Sequence, residues 1–138
     1  MTGYLVDTNC ISEATKPRPN AGVARWLHET DDSLLHLSVL TLGELRKGIV
    51  AMGKRRTKLE FWLEIELRHR FQGKLLAVTE SVADRWGTLT TQARVRGAHL
   101  PAIDGLLAAT ALEHNLTVAT RNTKDFEAAH VPVFNPWT

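Results

Sequence analysis

Only one cysteine, Cys10, occurs among 138 residues. No intramolecular disulfide can form, so a disulfide scaffold is excluded and a reducing compartment is expected. Long apolar runs are also missing, and none approaches the ~20 residues of a membrane span. The first residues, Met1 to Asp7, lack the basic and extended apolar regions of a signal peptide. These absences predict a cytoplasmic protein with no membrane partner. Charge of one sign is not dominant: 17 Lys and Arg face 15 Asp and Glu, a formal net charge of +2. A nucleic-acid footprint must therefore come from local clustering. The six histidines show no zinc spacing, His-Glu-x-x-His is absent, and Cys10 has no partner cysteine. Neither Gly-x-x-x-x-Gly-Lys-Ser/Thr nor Gly-x-Gly-x-x-Gly occurs, so no nucleotide cofactor is expected. With no repeat, low-complexity tract or linker, residues 1–138 read as one domain with its own core.

What is present is an alternation of short apolar runs and helical patterns. Strands are expected at Tyr4–Val6, Leu34–Ser38, Leu75–Val78, Leu116–Ala119 and, at the sheet edge beside Pro132, Val131–Phe134. Helices are expected at Ile11–Ala14, stopped by Pro17 and Pro19, and after the N-cap Asn20, with Val23, Trp26 and Leu27 on one face. Further helices are expected at Leu40–Met52, with Leu45, Ile49 and Met52 at helical spacing, and at Arg56–Phe71. The last two run over Glu80–Arg96, stopped by Gly97, and from Pro101 to Glu113. The pattern is that of an α/β fold, a central, mostly parallel sheet of about five strands flanked by helices on both faces. Functional residues of such folds gather at the carboxyl ends of the strands.

Four acids fall at that edge. Asp7 closes the first strand, Glu44 follows the second, Asp104 lies in the first turn of the helix after Pro101, and Asp125 follows the fourth strand. Each alone has an ordinary structural use: Asp7 and Asp125 as helix caps, Glu44 as a surface residue, Asp104 against the helix dipole. Together they would repel one another and take up protons unless a cation compensates. Mg²⁺ or Mn²⁺, which prefer oxygen ligands, suit that role. Such ions activate water and stabilise charge on a phosphoryl group, which points to phosphodiester hydrolysis. Thr8, Asn9, Thr120 and Asn122 are placed to orient the acids.

These motifs resemble those of PIN-domain nucleases. The resemblance rests on Asp7-Thr8-Asn9 after a short strand, Glu44-Leu45-x-x-Gly48, Asp104 in an Ala-rich helix, and Thr120-Arg121-Asn122-x-x-Asp125-Phe126. Within that family the chain is similar to the VapC toxins of VapBC toxin–antitoxin pairs, in the FitB-like branch. Lys16-Pro17-Arg18-Pro19-Asn20 and Asn135-Pro136-Trp137 add to that likeness. The resemblance implies a PIN fold and a Mg²⁺- or Mn²⁺-dependent endoribonuclease acting on tRNA or ribosomal RNA. It implies Asp7, Glu44, Asp104 and Asp125 as catalytic acids, with Asp7 and Asp104 on the metal. It also implies a homodimer, a neutralising antitoxin, a larger hetero-oligomer with it, and contact with DNA only through that antitoxin.

Two stretches without acids, Leu45–Leu59 and Arg85–Ile103, carry Arg46, Lys47, Arg55, Arg56, Lys58, Arg94 and Arg96. They read either as a solvated face or as a phosphate-tracking rim beside the acidic pocket. The segment Leu59–Leu67 is apolar on more of its circumference than one core face needs, which suggests a dimer or antitoxin surface. Rival readings are a PIN-fold regulatory module without activity, and an Asp-dependent phosphoryl-transfer domain. The latter fits poorly, because Asp7-Thr8-Asn9 lacks the second acid such domains want.

Overall fold

The computed structural model describes residues 3–138, apart from the side chain of Arg55. Strands β1 (Tyr4–Val6), β2 (Leu35–Ser38), β3 (Leu75–Leu76), β4 (Thr117–Ala119) and β5 (Val133–Phe134) form one sheet in the order β3-β2-β1-β4-β5. Every pairing is parallel. A central parallel strand is buried on both faces, so its residues alternate between two cores. Val6 joins the core with Leu35, Leu37 and Ala119, while Leu5 joins the other with Val118.

The helices divide along the same line. On the Val6 face lie α1 (Thr8–Ala14), α2 (Ala21–Glu29), α3 (Val39–Val50) and α4 (57–70), contributing Cys10, Ile11, Val23, Leu27, Leu45, Ile49, Leu63 and Leu67. On the Leu5 face lie α5 (Glu80–Val95), α6 (Ala102–Glu113) and α7 (Thr123–Glu127), contributing Leu89, Ala93, Leu107, Ala111 and Phe126. Among the described residues no helix is long and apolar enough to cross a membrane.

Several boundaries differ from the sequence reading. Helix α1 begins at Thr8 rather than Ile11, because the Asp7 carboxylate caps it by accepting the Thr8 N–H at 2.7 Å. Helix α3 starts at Val39, capped by the Ser38 hydroxyl, and stops at Val50. Met52 therefore lies beyond it and is 44% exposed instead of completing a buried stripe. The segment expected as a helix over Arg56–Phe71 opens with a 3-10 turn, Gly53–Arg56, and its middle, Trp62–Leu67, is π-helical. That widened turn keeps Leu63 and Leu67 in the core and sends Phe61 and Ile65 outward. The third strand ends at Leu76, since the chain turns Val78 outward to bring Thr79 in as the cap of α5. The fifth strand begins at Val133: Val131 is buried, but its N–H turns back to Phe126 rather than to the sheet.

The sheet order reverses direction at β1, with β2 on one side and β4 on the other. A crevice is expected outside the carboxyl ends of strands at such a switch point. Asp7 and Thr120, which follow β1 and β4, stand at that point.

Candidate active site

The Asp7 carboxylate is only 6% exposed. Its Oδ1 accepts the Thr8 N–H at 2.7 Å and its Oδ2 accepts the Thr120 hydroxyl at 2.8 Å. Burial raises the pKa of Asp7; the Thr120 and Thr8 hydrogen bonds pull it back, and the charge of Glu44 raises it further. Thr120 itself is clamped, since its oxygen accepts from Asn9 Nδ2 at 3.2 Å and from the Asn122 N–H at 2.9 Å.

Glu44 projects from α3 toward α1. Thr8 Oγ1 donates to Glu44 Oε1 at 2.6 Å and lies 3.2 Å from Thr41 Oγ1. A hydroxyl has one proton, and that of Thr8 is committed to the carboxylate, so Thr41 donates to Thr8. Thr41 is fully buried. The sequence reading missed it, although its place three residues before Glu44 puts both on one helix face.

Asp104, in the first turn of α6, is half-buried. The Asn122 amide bridges it to Asp125, donating to Asp104 Oδ2 at 3.2 Å and to Asp125 Oδ2 at 2.8 Å. Asp104 is pushed up to about 7 by burial first, then by the charge of Asp7, by a hydrogen bond to Asp125 and its charge, and by Glu44. The charges of Asp7, Glu44 and Asp125 all reach Asp104; Thr8, Thr120 and Asn122 each bond at least one of the four acids, and Asn9 bonds Thr120. Cys10 takes no part; its thiol is buried against the Ala119 carbonyl.

The donor set consists of carboxylate, hydroxyl and amide oxygens, which fits a hard divalent cation. Asp7 and Asp104 are raised first by burial and then by the negative charge of neighbouring carboxylates, a charge that such a cation would relieve. Among the described residues no three His, Cys, Asp or Glu side chains form a ready-made cage for one ion. Asp7 and Asp104, the latter raised by the charge of the former, are the acids that could hold a cation between them.

The basic residues are less uniform than the sequence implied. Arg46 pairs with Glu64 of α4, Arg56 pairs with Glu60 at 2.6 Å, and Arg96 donates to the Ala128 carbonyl. Lys47, Lys58 and Arg94 are exposed. The Arg55 side chain lies outside the described residues. A stretch free of acids in sequence thus acquires them from the next helix.

From Glu44 an apolar groove runs between α1, α3 and α4. One cavity of about 220 Å³ is bounded by Ser12, Glu44, Gly48, Met52 and Trp62. A second, of about 470 Å³, continues past Leu59 and Phe61. A side chain at Gly48 would meet nothing within 4 Å, so this position opens onto the groove.

An all-parallel α/β domain with four acids gathered at its topological switch point defines a carboxylate-centred class of protein. Comparison with known proteins makes the class specific. The model of the PIN domain family matches residues 4–131. Toxin FitB of Neisseria gonorrhoeae is 42% identical over 135 residues, 96% of this chain and 97% of that protein. VapC ribonuclease Y4jK of Sinorhizobium fredii is 39% identical over 135 residues, 96% of each. Among solved structures, FitAcB from Neisseria gonorrhoeae superposes with a TM-score of 0.93 at 42% identity, covering 97% of this chain and 98% of that one. VapBC2 from Rickettsia felis, at 22% identity and a TM-score of 0.81, covers 98% of both chains and shares the fold. The chain belongs to the PIN-domain family, in the branch that holds the FitB and VapC toxins.

Proposed function

We propose that this protein is a metal-dependent endoribonuclease, the toxin of a type II toxin–antitoxin pair, acting in the cytoplasm. The observation that carries the reading is the convergence of Asp7, Glu44, Asp104 and Asp125, linked by hydrogen bonds and by the charges that reach Asp104, at the crevice of a PIN fold. The names of its relatives, Toxin FitB and VapC ribonuclease, support it.

In this reading Asp7 and Asp104 hold Mg²⁺ or Mn²⁺. Such an ion, when bound, lowers the pKa of water and stabilises charge building on a phosphoryl group. The Thr120 hydroxyl and the Thr8 N–H favour the ionised form of Asp7 and aim its carboxylate, against the cost of its burial. Thr41 and Thr8 fix Glu44 through Oε1, so that Oε2 can orient water and accept its proton. Asn122 holds Asp104 and Asp125 at a set spacing. An Asp-nucleophile mechanism is disfavoured, because both oxygens of Asp7 already accept hydrogen bonds.

The partners that follow are an RNA of the tRNA or ribosomal class, a second copy of the chain, and an antitoxin that brings the pair to DNA. The solved relatives include FitAB bound to a DNA fragment. The apolar groove that ends at Glu44 suits an antitoxin segment, and an Arg at its tip would pair with the carboxylates in bidentate fashion. Purified protein incubated with structured RNA tests the reading. Cleavage is expected in Mg²⁺ or Mn²⁺ and not in EDTA. Cleavage that persists in EDTA refutes the metal role, and absence of cleavage together with weak Mn²⁺ binding favours an inactive PIN-fold module.

A further inference from the structure

One cation sits inside the loop that holds the carboxylates without taking part in holding them. Arg121 lies between Thr120, which holds Asp7, and Asn122, which holds Asp104 and Asp125. Its own N–H reaches Asn9 Oδ1 at 3.4 Å. The backbone on both sides of Arg121 is therefore fixed by the carboxylate network, and its side chain emerges exposed at the rim.

That guanidinium is not neutralised. Among the described residues Arg121 has no acidic partner within ion-pair distance, although six other pairs form. Glu13 feels the charge of Arg121, but its carboxylate is already occupied by Lys16 Nζ at 2.9 Å and the Asn20 N–H at 2.9 Å. Arg121 instead rests on an aromatic shelf, its Cζ 5.4 Å from the centroid of the Trp137 ring.

The shelf is itself built in. Trp137 packs against the core under α1 and α2, and its N–H is held by Asn135 Oδ1 at 3.0 Å. Asn20, the cap of α2, also ties down the tail: its Oδ1 accepts the Thr138 N–H at 3.2 Å and its Nδ2 donates to the Thr138 carbonyl at 3.1 Å. An Arg held over an aromatic ring leaves N–H groups free for an anion, and loses less freedom when one arrives. The edge of a guanidinium matches two oxygens of a phosphate.

We propose that Arg121, shelved on Trp137, binds a backbone phosphate of the RNA strand flanking the scissile bond. This rests on the ribonuclease reading and supplies what an acidic pocket lacks, a cation that draws a polyanion toward carboxylates. RNA is favoured over an acidic protein partner because Arg121 shares one three-residue loop with the residues that hold the catalytic acids.

The test is binding of a fluorescein-labelled, 12-nucleotide single-stranded RNA in EDTA, followed by anisotropy over a range of salt, with cleavage in Mg²⁺ measured separately. Arg121→Ala should bind about tenfold more weakly, as expected on removing a hydrogen bond to a charged group. Its plot of log affinity against log salt should be shallower by about 0.7, the value for one phosphate on a single strand. Arg121→Lys should regain the salt slope but only part of the affinity. Both variants should melt close to wild type. Wild type that binds and cleaves while Arg121→Ala binds equally well overturns the inference. So does Arg121→Ala that melts lower but, once folded, binds RNA normally, since Arg121 would then only clamp the tail. A loss of affinity for a glutamate decamer with RNA binding unchanged would assign the residue to a protein partner and overturn it too. Failure of wild type to bind or cleave RNA at all would remove the ribonuclease reading beneath it.

Discussion

Asp104→Asn separates catalysis from stability at the carboxylate cluster. Asn is nearly isosteric with protonated Asp104. It keeps an oxygen for the Asn122 amide and an N–H₂ that can donate toward Asp125, as the protonated acid does. The native state holds the Asp104 proton up to about pH 7, whereas the unfolded chain releases it near 3.8. Between those values the native state binds more protons, so wild-type stability falls as pH rises through the window. The full difference corresponds to about 4 kcal/mol. Asp104 is half-buried, and solvent screening reduces this to about 2 kcal/mol. Asp104→Asn should therefore melt about 7 °C above wild type at pH 8 in EDTA, with the size of the chain setting the conversion. The advantage should shrink from pH 7 downward and vanish near pH 4. In Mn²⁺ at 100 times its dissociation constant wild type should gain about 2.7 kcal/mol, while the variant gains little, and the order should reverse. The assay is thermal melting of both proteins at several pH values, in EDTA and in Mn²⁺. A variant less stable than wild type at pH 8 in EDTA, or an advantage that does not change with pH, refutes the reasoning.

Thr120→Val removes the hydroxyl that donates to Asp7 and leaves Asn9 and the Asn122 N–H without their acceptor. It should cost about 2 kcal/mol at pH 8 and less as pH falls through the raised pKa of Asp7, where protonation replaces the missing donor; urea midpoints at both pH values check this. Gly22→Ala places a Cβ 2.5 Å from the Pro136 carbonyl. The C-terminal tail must shift, at a cost of about 1–3 kcal/mol, and the stacking of Trp137 on Arg121 should loosen, read as a change in Trp fluorescence. Arg56→Ala with Lys58→Ala should leave Mn²⁺ affinity unchanged and flatten the salt dependence of RNA binding by about 0.7 for each phosphate no longer engaged. An unchanged slope would make these residues a solvated face, with Arg56 serving only Glu60.

The alternation of apolar runs and helical patterns determined the parallel α/β sheet, its five strands and the two-sided layering, because period and chain reversal are written locally. The four acids were legible as candidates for a related reason: Asp7 follows a strand, Asp104 and Asp125 lie in first helical turns, Glu44 lies in the second turn of the helix that follows β2, and strand ends converge in such a sheet. Helix ends written as single residues, the Asn20 side-chain cap before α2 and the positive-φ Gly97 after α5, were legible too. What sequence left open was pairing between segments far apart. Asp7 proved to be both a helix cap and a member of the cluster, since its two oxygens face different elements. The acid-free stretch around Arg46 and Arg56 met Glu64 and Glu60 only when α3 and α4 packed together. The π-helical turn of α4, which decides that Phe61 and Ile65 face outward, has no period of its own to read. The Thr41–Thr8–Glu44 relay and the Arg121–Trp137 shelf join residues whose order along the chain says nothing of their distance. Local propensity is additive along a sequence and can be summed from it, whereas a hydrogen bond or stacking interaction across the fold exists only once the sheet has brought its two ends together.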